Sequence, residues 1–73
     1  MFLYPKIDKI TKLREIAGLS RRALSQKAGL PENAILRIES GKSKKINHLR
    51  AREIAQALGC NVEDICSVPE RSA

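Results

Sequence analysis

Two short apolar repeats sit back to back between Gly18 and Gly41, with Gly29 between them, and this constrains the fold more than any other feature. Ser20 is placed to cap the first repeat as a helix, its hydroxyl accepting from an otherwise unpaired amide. Leu19 precedes that cap and Leu24 lies four residues after it, the spacing of a hydrophobic staple. Gly29 ends the helix, because it takes a positive φ at little cost. Leu30-Pro31 then leads into a second helix, about residues 32–40. Pro31 pre-sets φ there and lacks a donor that the first turn would leave unpaired. Ile35 and Ile38 face inward, and Asn33, Leu36, Arg37 and Ser40 lie on the opposite arc. Gly41 closes the pair, which reads as a helix-turn-helix.

The flanks supply what this pair packs against. Ile7, Ile10, Leu13 and Ala17 recur at three- and four-residue spacing, predicting a helix over 7–17 that Gly18 stops. Pro5 stands at or just before its first turn. Lys42-Ser43-Lys44-Lys45 predicts an exposed loop. Asn47 is the next cap, with Ile46 and Ala51 as another staple; Ala51, Ile54, Ala55 and Leu58 form the inward face of a fourth helix, which ends at Gly59. Asn61 caps a short fifth helix with Asp64 in its first turn, where a carboxylate suits the dipole. Val62 and Ile65 are its apolar contacts. No segment is patterned as a strand. The expected fold is all-α: a compact five-helix domain over 7–66, an N-terminal extension over 1–6, and a disordered tail over 67–73.

A chain of 73 residues makes one small domain, leaving no room for a separate sensor or catalytic domain. No apolar run approaches the ~20 residues of a membrane span. Met1-Phe2-Leu3-Tyr4-Pro5 is too short, and lacks the basic start, for a secretory signal. Two cysteines without such a signal point to reduced thiols in a cytosol. The net charge of +6 is unevenly spread: residues 21–52 carry nine Lys or Arg and two acids, whereas residues 53–73 carry one Arg and four acids. A basic middle with an acidic end predicts one surface that faces a polyanion. A protruding helix ringed by positive charge suits the major groove of double-stranded DNA.

Catalysis has little to build with. There is one histidine, no carboxylate pair beside a nucleophile, and no Gly-rich phosphate loop. Cys60 and Cys66 have no further Cys or His at ligand spacing, so neither a zinc site nor any other cofactor is expected. Core packing is expected for Cys60 and partial exposure for Cys66, although a redox link across a dimer stays open. His48, in the first turn of the fourth helix, is either a phosphate contact or an ordinary exposed side chain.

The series Leu13-Arg14, Gly18-Leu19-Ser20, Leu24, Gly29, Ile35-x-x-Ile38-Glu39-Ser40-Gly41-Lys42 and Ile54-Ala55-x-Ala57-Leu58-Gly59 resembles the Cro/phage-repressor (Xre) family of helix-turn-helix DNA-binding proteins. The resemblance covers roughly residues 7–66. It departs from the family pattern at Pro31, where Ser or Thr is usual; at Arg21, where glutamine is frequent; and in the loop after Gly41, which is about one residue longer and lacks a proline near Lys45.

What the resemblance implies is a small bacterial or phage-encoded transcriptional regulator in the cytoplasm, a homodimer on a near-palindromic operator. Helix 32–40 becomes the recognition helix. Asn33 can pair with adenine and Arg37 with guanine, each discriminating by about 1–3 kcal/mol. Leu36 either touches a thymine methyl or lies against the stems of Arg22 or Lys27. Glu32 either accepts from cytosine or complements the helix dipole. Ser20, Arg21, Arg22, Lys42, Lys44, Lys45 and Asn47 would meet phosphates. Arg14 and Glu39 would form a partly buried ion pair, and Val62, Ile65 and Cys66 would carry dimer contacts; Phe2, Leu3 and Tyr4 offer a second apolar patch that either pairs or folds back on the first helix. A second reading is an antitoxin-like or adaptor module that grips a protein partner, favoured by Leu36 and the apolar Phe2-Leu3-Tyr4.

Overall fold

The computed structural model describes residues 2–67. Met1 and residues 68–73, most of the expected tail, lie outside the described residues. In chain order the elements are β1 (Phe2–Pro5), α1 (Ile7–Ile16), α2 (Arg21–Lys27), α3 (Ala34–Glu39), β2 (Ile46–Asn47), α4 (His48–Leu58), α5 (Val62–Ile65) and β3 (Cys66–Ser67).

Four helix boundaries follow from local chemistry. The Ser20 hydroxyl accepts from the Ala23 amide at 3.0 Å and opens α2. Asn47 Oδ1 accepts from the Leu49 amide at 2.7 Å and opens α4. Gly59, at φ 73°, closes α4 in a left-handed conformation that a side chain would strain. The Asn61 amide donates to Asp64 Oδ2 at 3.0 Å, which ties down the start of α5.

The fold is five helices plus a small sheet, which corrects the all-α expectation. The strand order is β2-β1-β3, with both pairings antiparallel. Phe2 and Leu3 lie opposite Asn47 and Ile46; Tyr4 and Pro5 lie opposite Ser67 and Cys66. The pleat turns Leu3 into the core and leaves Phe2 and Tyr4 outside. A four-residue strand is too short to show a period of two, and both its partners are distant in sequence. Phe2–Pro5 is therefore built into the body of the fold, and Ser67 belongs to β3 instead of a tail. Two further bonds fasten the same region: the Lys6 amide donates to the Ile65 carbonyl at 2.7 Å, and Lys6 Nζ to the Glu63 carbonyl at 3.1 Å.

The core joins Leu3, Ile10, Leu24, Ile35, Ile38, Ile54 and Ile65, all essentially inaccessible to solvent. Each such aliphatic side chain contributes about 1.5–3 kcal/mol through burial. The aliphatic residues of α2 and α3 thus share one core with α1, α4 and β1. On α1 the buried stripe is narrower than expected, since Ala17 is exposed.

The start of α3 is also corrected: the helix begins at Ala34 instead of near residue 32 and ends at Glu39. Pro31-Glu32-Asn33 forms a turn in which the Ala34 amide donates to the Pro31 carbonyl at 3.0 Å. Asn33, at φ −98° and ψ 10°, sits in the bridge region between helix and strand. Pro31 therefore starts the turn and not the helix.

Candidate nucleic-acid interface

The α2–α3 unit is held by a residue that sequence reasoning missed. Ser25 is fully buried on the inner side of α2. Its hydroxyl donates to the Arg21 carbonyl at 2.9 Å and accepts from the Ile35 amide at 3.2 Å. That amide is one of the first-turn donors of α3, which a helix cannot satisfy internally. Ser25 thus caps α3 from the neighbouring helix. Asn33, at the N-cap position of α3, makes no side-chain cap bond, so its carboxamide is left for other work. The available signal was the lone small polar residue directly after buried Leu24.

The outer arc of the unit is open. Glu32, Asn33, Leu36 and Arg37 are all exposed, Leu36 at 48% although it is a large aliphatic side chain. Ser20, Arg21, Arg22, Glu32, Asn33 and Leu36 line one shallow groove of about 450 Å³, with Arg14 at its base. The structure therefore brings together most of the residues expected at a base-reading and phosphate-holding surface. Arg37 projects from the next turn, and its carbonyl accepts from the Lys42 and Ser43 amides at 3.0 and 3.1 Å, which binds the basic loop to the end of α3. Lys42 and Lys44 are exposed on that loop. Lys45 is exposed too, but its Nζ lies over the Phe2 ring, 5.9 Å from the centroid, and so leans towards β1. Asn47 is exposed with its Oδ1 engaged in capping.

Two carboxylates flank α3, and each meets an arginine from the start of α2. Glu39 Oε2 lies 2.8 Å from Arg14 Nε, and its Oε1 lies 2.9 Å from Arg21 Nε. Arg14 Nη1 also donates to the Leu19 carbonyl at 2.8 Å. The Glu39 side chain is only 5% exposed. Burial alone would push its carboxyl up, but the hydrogen bonds and charges of Arg14 and Arg21 more than offset this and hold it below the ordinary carboxylate value. At the other end, Glu32 Oε1 lies 2.8 Å from Arg22 Nη2, with both side chains more than half exposed. Arg21 and Arg22 are thus occupied in the free protein by acids at the two ends of α3.

The remaining expectations fare differently. Ile65 and Cys66, expected at a dimer face, are buried in the chain's own core beneath β1, and Val62 is half-buried against it. The apolar spacing of α5 is the signature of that core, not of a free surface. Cys66 is the more buried cysteine and Cys60 the less, the reverse of expectation. Burial pushes the Cys66 thiol up to about 11, with Cys60 adding to the rise and Lys6 working against it. His48 is exposed and lines a separate groove with Leu3, Arg52 and Gln56. Among the described residues, no helix is long and apolar enough to cross a membrane.

Comparison with known proteins agrees with this geometry. Residues 6–70 match the model of the Cro/C1-type HTH DNA-binding domain. The chain is also similar to part of the glutamine–fructose-6-phosphate aminotransferase [isomerizing] of Methanocaldococcus jannaschii, 34% identical over 58 residues. That stretch is 80% of this chain but 5% of the aminotransferase, so the likeness touches one small piece of a long protein. The family match spans nearly the whole chain and takes in every element of the α2–α3 unit. The chain belongs to the Cro/C1-type helix-turn-helix DNA-binding domain family, and DNA binding is what that membership assigns to it.

Proposed function

We propose that this chain reads a specific duplex sequence with α3 in the major groove, as a homodimer on a near-palindromic operator. The observation that carries the reading is the division of α3: Ile35 and Ile38 are buried, while Asn33, Leu36 and Arg37 stand exposed on the opposite arc. Arg37 supplies a guanidinium fork for guanine O6 and N7, Asn33 a carboxamide for adenine N6 and N7, and Leu36 an apolar contact for a thymine methyl. The backbone that carries these side chains is pinned by Ser25 at one end and by Arg14–Glu39 at the other. Pinning lowers the ordering cost of binding.

Around this arc, Arg22, Lys42 and Lys44 meet phosphates, joined by the Ser20 hydroxyl and the amide nitrogen of Asn47. Arg21 is half exposed, and its Nη groups serve the same end while Nε stays on Glu39. Lys45 contacts phosphate by swinging from the Phe2 ring. Glu32 yields Arg22 to the backbone when DNA arrives, and its own carboxylate is then placed to accept from a cytosine amino group. One recognition helix reads only a few base pairs; two-fold pairing doubles the site, with half-sites about one helical turn apart, ~34 Å.

Selection of bound duplexes from a random library tests the reading. The expected product is a near-palindrome whose half-sites carry adenine and guanine at fixed positions. Binding to it weakens with salt at roughly 0.9 log units per neutralised phosphate, for about five to eight phosphates per bound unit. No enriched sequence together with a flat salt response would overturn the proposal.

A further inference from the structure

Pairing of two copies needs a free surface, and α5 does not provide one, since Ile65 and Cys66 are spent in the core. Among the described residues, five large apolar side chains are well exposed: Phe2 at 58%, Tyr4 at 45%, Ile16 at 73%, Leu36 at 48% and Leu49 at 67%. Leu36 belongs to the α3 arc, and Ile16 stands at the end of α1. The other three fall together. Phe2 and Tyr4 share the outer face of β1, and Leu49, in the first turn of α4, lines one surface depression with Phe2, Leu30, Lys45, Asn47, Arg50 and Glu53. These are the only two aromatic residues in the chain, and neither enters the core. Large rings left outside a small core mark an interaction site.

We infer that this face, formed by Phe2, Tyr4 and Leu49, seats a second copy of the chain; the inference deepens the homodimer in the proposed function and rests on it for its biological use. The charge pattern selects that occupant. Arg50 and Glu53 are exposed, three residues apart, on the same helix and in the same depression as Leu49. A two-fold axis between antiparallel α4 helices sets Arg50 against Glu53 of the partner subunit, and the converse pair follows by symmetry. The rim carries both signs, Lys45 and Arg50 beside Glu53, so that Arg50 and Glu53 complement their own copies across the two-fold, whereas Glu53 opposes a polyanion. The face also lies next to the loop that bears Lys42, Lys44 and Lys45, so a contact here sets the distance between the two α3 helices.

Three apolar anchors per copy make a modest interface, and the dimer is expected to dissociate at micromolar to sub-millimolar concentration. Sedimentation equilibrium of the full chain from about 10 μM to about 1 mM reads this directly. The expected parent is a dimer at the upper end that falls apart on dilution. Leu49→Glu, exposed and therefore tolerated by the fold, is expected to be monomeric throughout with an unchanged circular dichroism spectrum. Arg50→Glu and Glu53→Arg are each expected to weaken association about tenfold, and the double variant to recover most of the loss. A parent that stays monomeric, a Leu49→Glu variant that dimerises like the parent, or single reversals that the double variant does not rescue would overturn the inference. Normal dimerisation with no enriched duplex would instead overturn the DNA-reading proposal alone.

Discussion

Glu39 and Glu32 flank the same helix, and each holds an arginine from the start of α2 at under 3 Å. Their surroundings differ. Glu39 is almost fully covered and shared by two arginines; Glu32 is 62% exposed and meets one. A buried pair resists removal of either member, because the survivor is left charged and unpartnered at about 3–5 kcal/mol. An exposed pair is worth about 0–1 kcal/mol and exchanges readily with other ions. One contact therefore holds α3 in place, and the other leaves an arginine that, in the proposed function, a phosphate displaces.

The largest expected effect is at the covered end. Glu39→Ala is predicted to lower stability by about 3–5 kcal/mol, which in a domain this small shifts the melting temperature by well over ~10 °C. A thermal melt followed by circular dichroism checks it. Glu39→Gln should fall in the same direction, and its shortfall depends on pH. The Glu39 carboxyl is held below its ordinary value, so the ion pair contributes fully above that value and its contribution is lost as pH falls through the lower, folded value. The gap in melting temperature between parent and Glu39→Gln should therefore narrow as pH falls below the ordinary carboxylate value.

The next effect separates support from contact. Ser25→Ala leaves the buried Ile35 amide without its acceptor and is expected to cost about 1–3 kcal/mol of stability. Arg37→Ala and Asn33→Ala are expected to cost about 1–3 kcal/mol of specific binding each, with melting temperatures unchanged. Paired melts and duplex titrations on the three variants would break the comparison if Ser25→Ala melted like the parent or Arg37→Ala unfolded early.

The smallest effect is at the open end. Glu32→Gln is predicted to leave stability within about 1 kcal/mol. Freed from its acid, Arg22 should bind random duplex about two- to fivefold more tightly at low salt, with a salt slope steeper by up to ~0.9. Titration of non-specific DNA at several salt concentrations measures both. Unchanged affinity and slope would make Glu32 a bystander.

How much of this was legible in the sequence follows from how local each interaction is. Ser20, Asn47, Gly59 and Asn61 act within a turn or two of themselves, so four helix boundaries could be read directly. The sheet could not, because Phe2 and Tyr4 find partners at Asn47 and Ser67, each only two residues long. The family resemblance implies dimer contacts at Val62, Ile65 and Cys66, but Ile65 and Cys66 are buried and Val62 packs against the core. Ser25 was hidden for a related reason: its task is defined by Ile35 on another helix. The start of α3 was misread because Pro31 fits a helix opening and a turn equally well, and the choice depends on the backbone at Asn33. The outer arc of α3 was legible because exposure there is the complement of a strong apolar period at Ile35 and Ile38.

Methylation of guanine N7 in the selected duplex tests the central claim most directly, because it blocks the major-groove acceptor that Arg37 is proposed to use. The predicted result is that premethylation at one guanine per half-site sharply weakens binding of the parent, and that Arg37→Ala binds methylated and unmethylated duplex equally, at the weakened level. Parent binding that ignores methylation, or an Arg37→Ala variant that remains as sensitive as the parent, would contradict it.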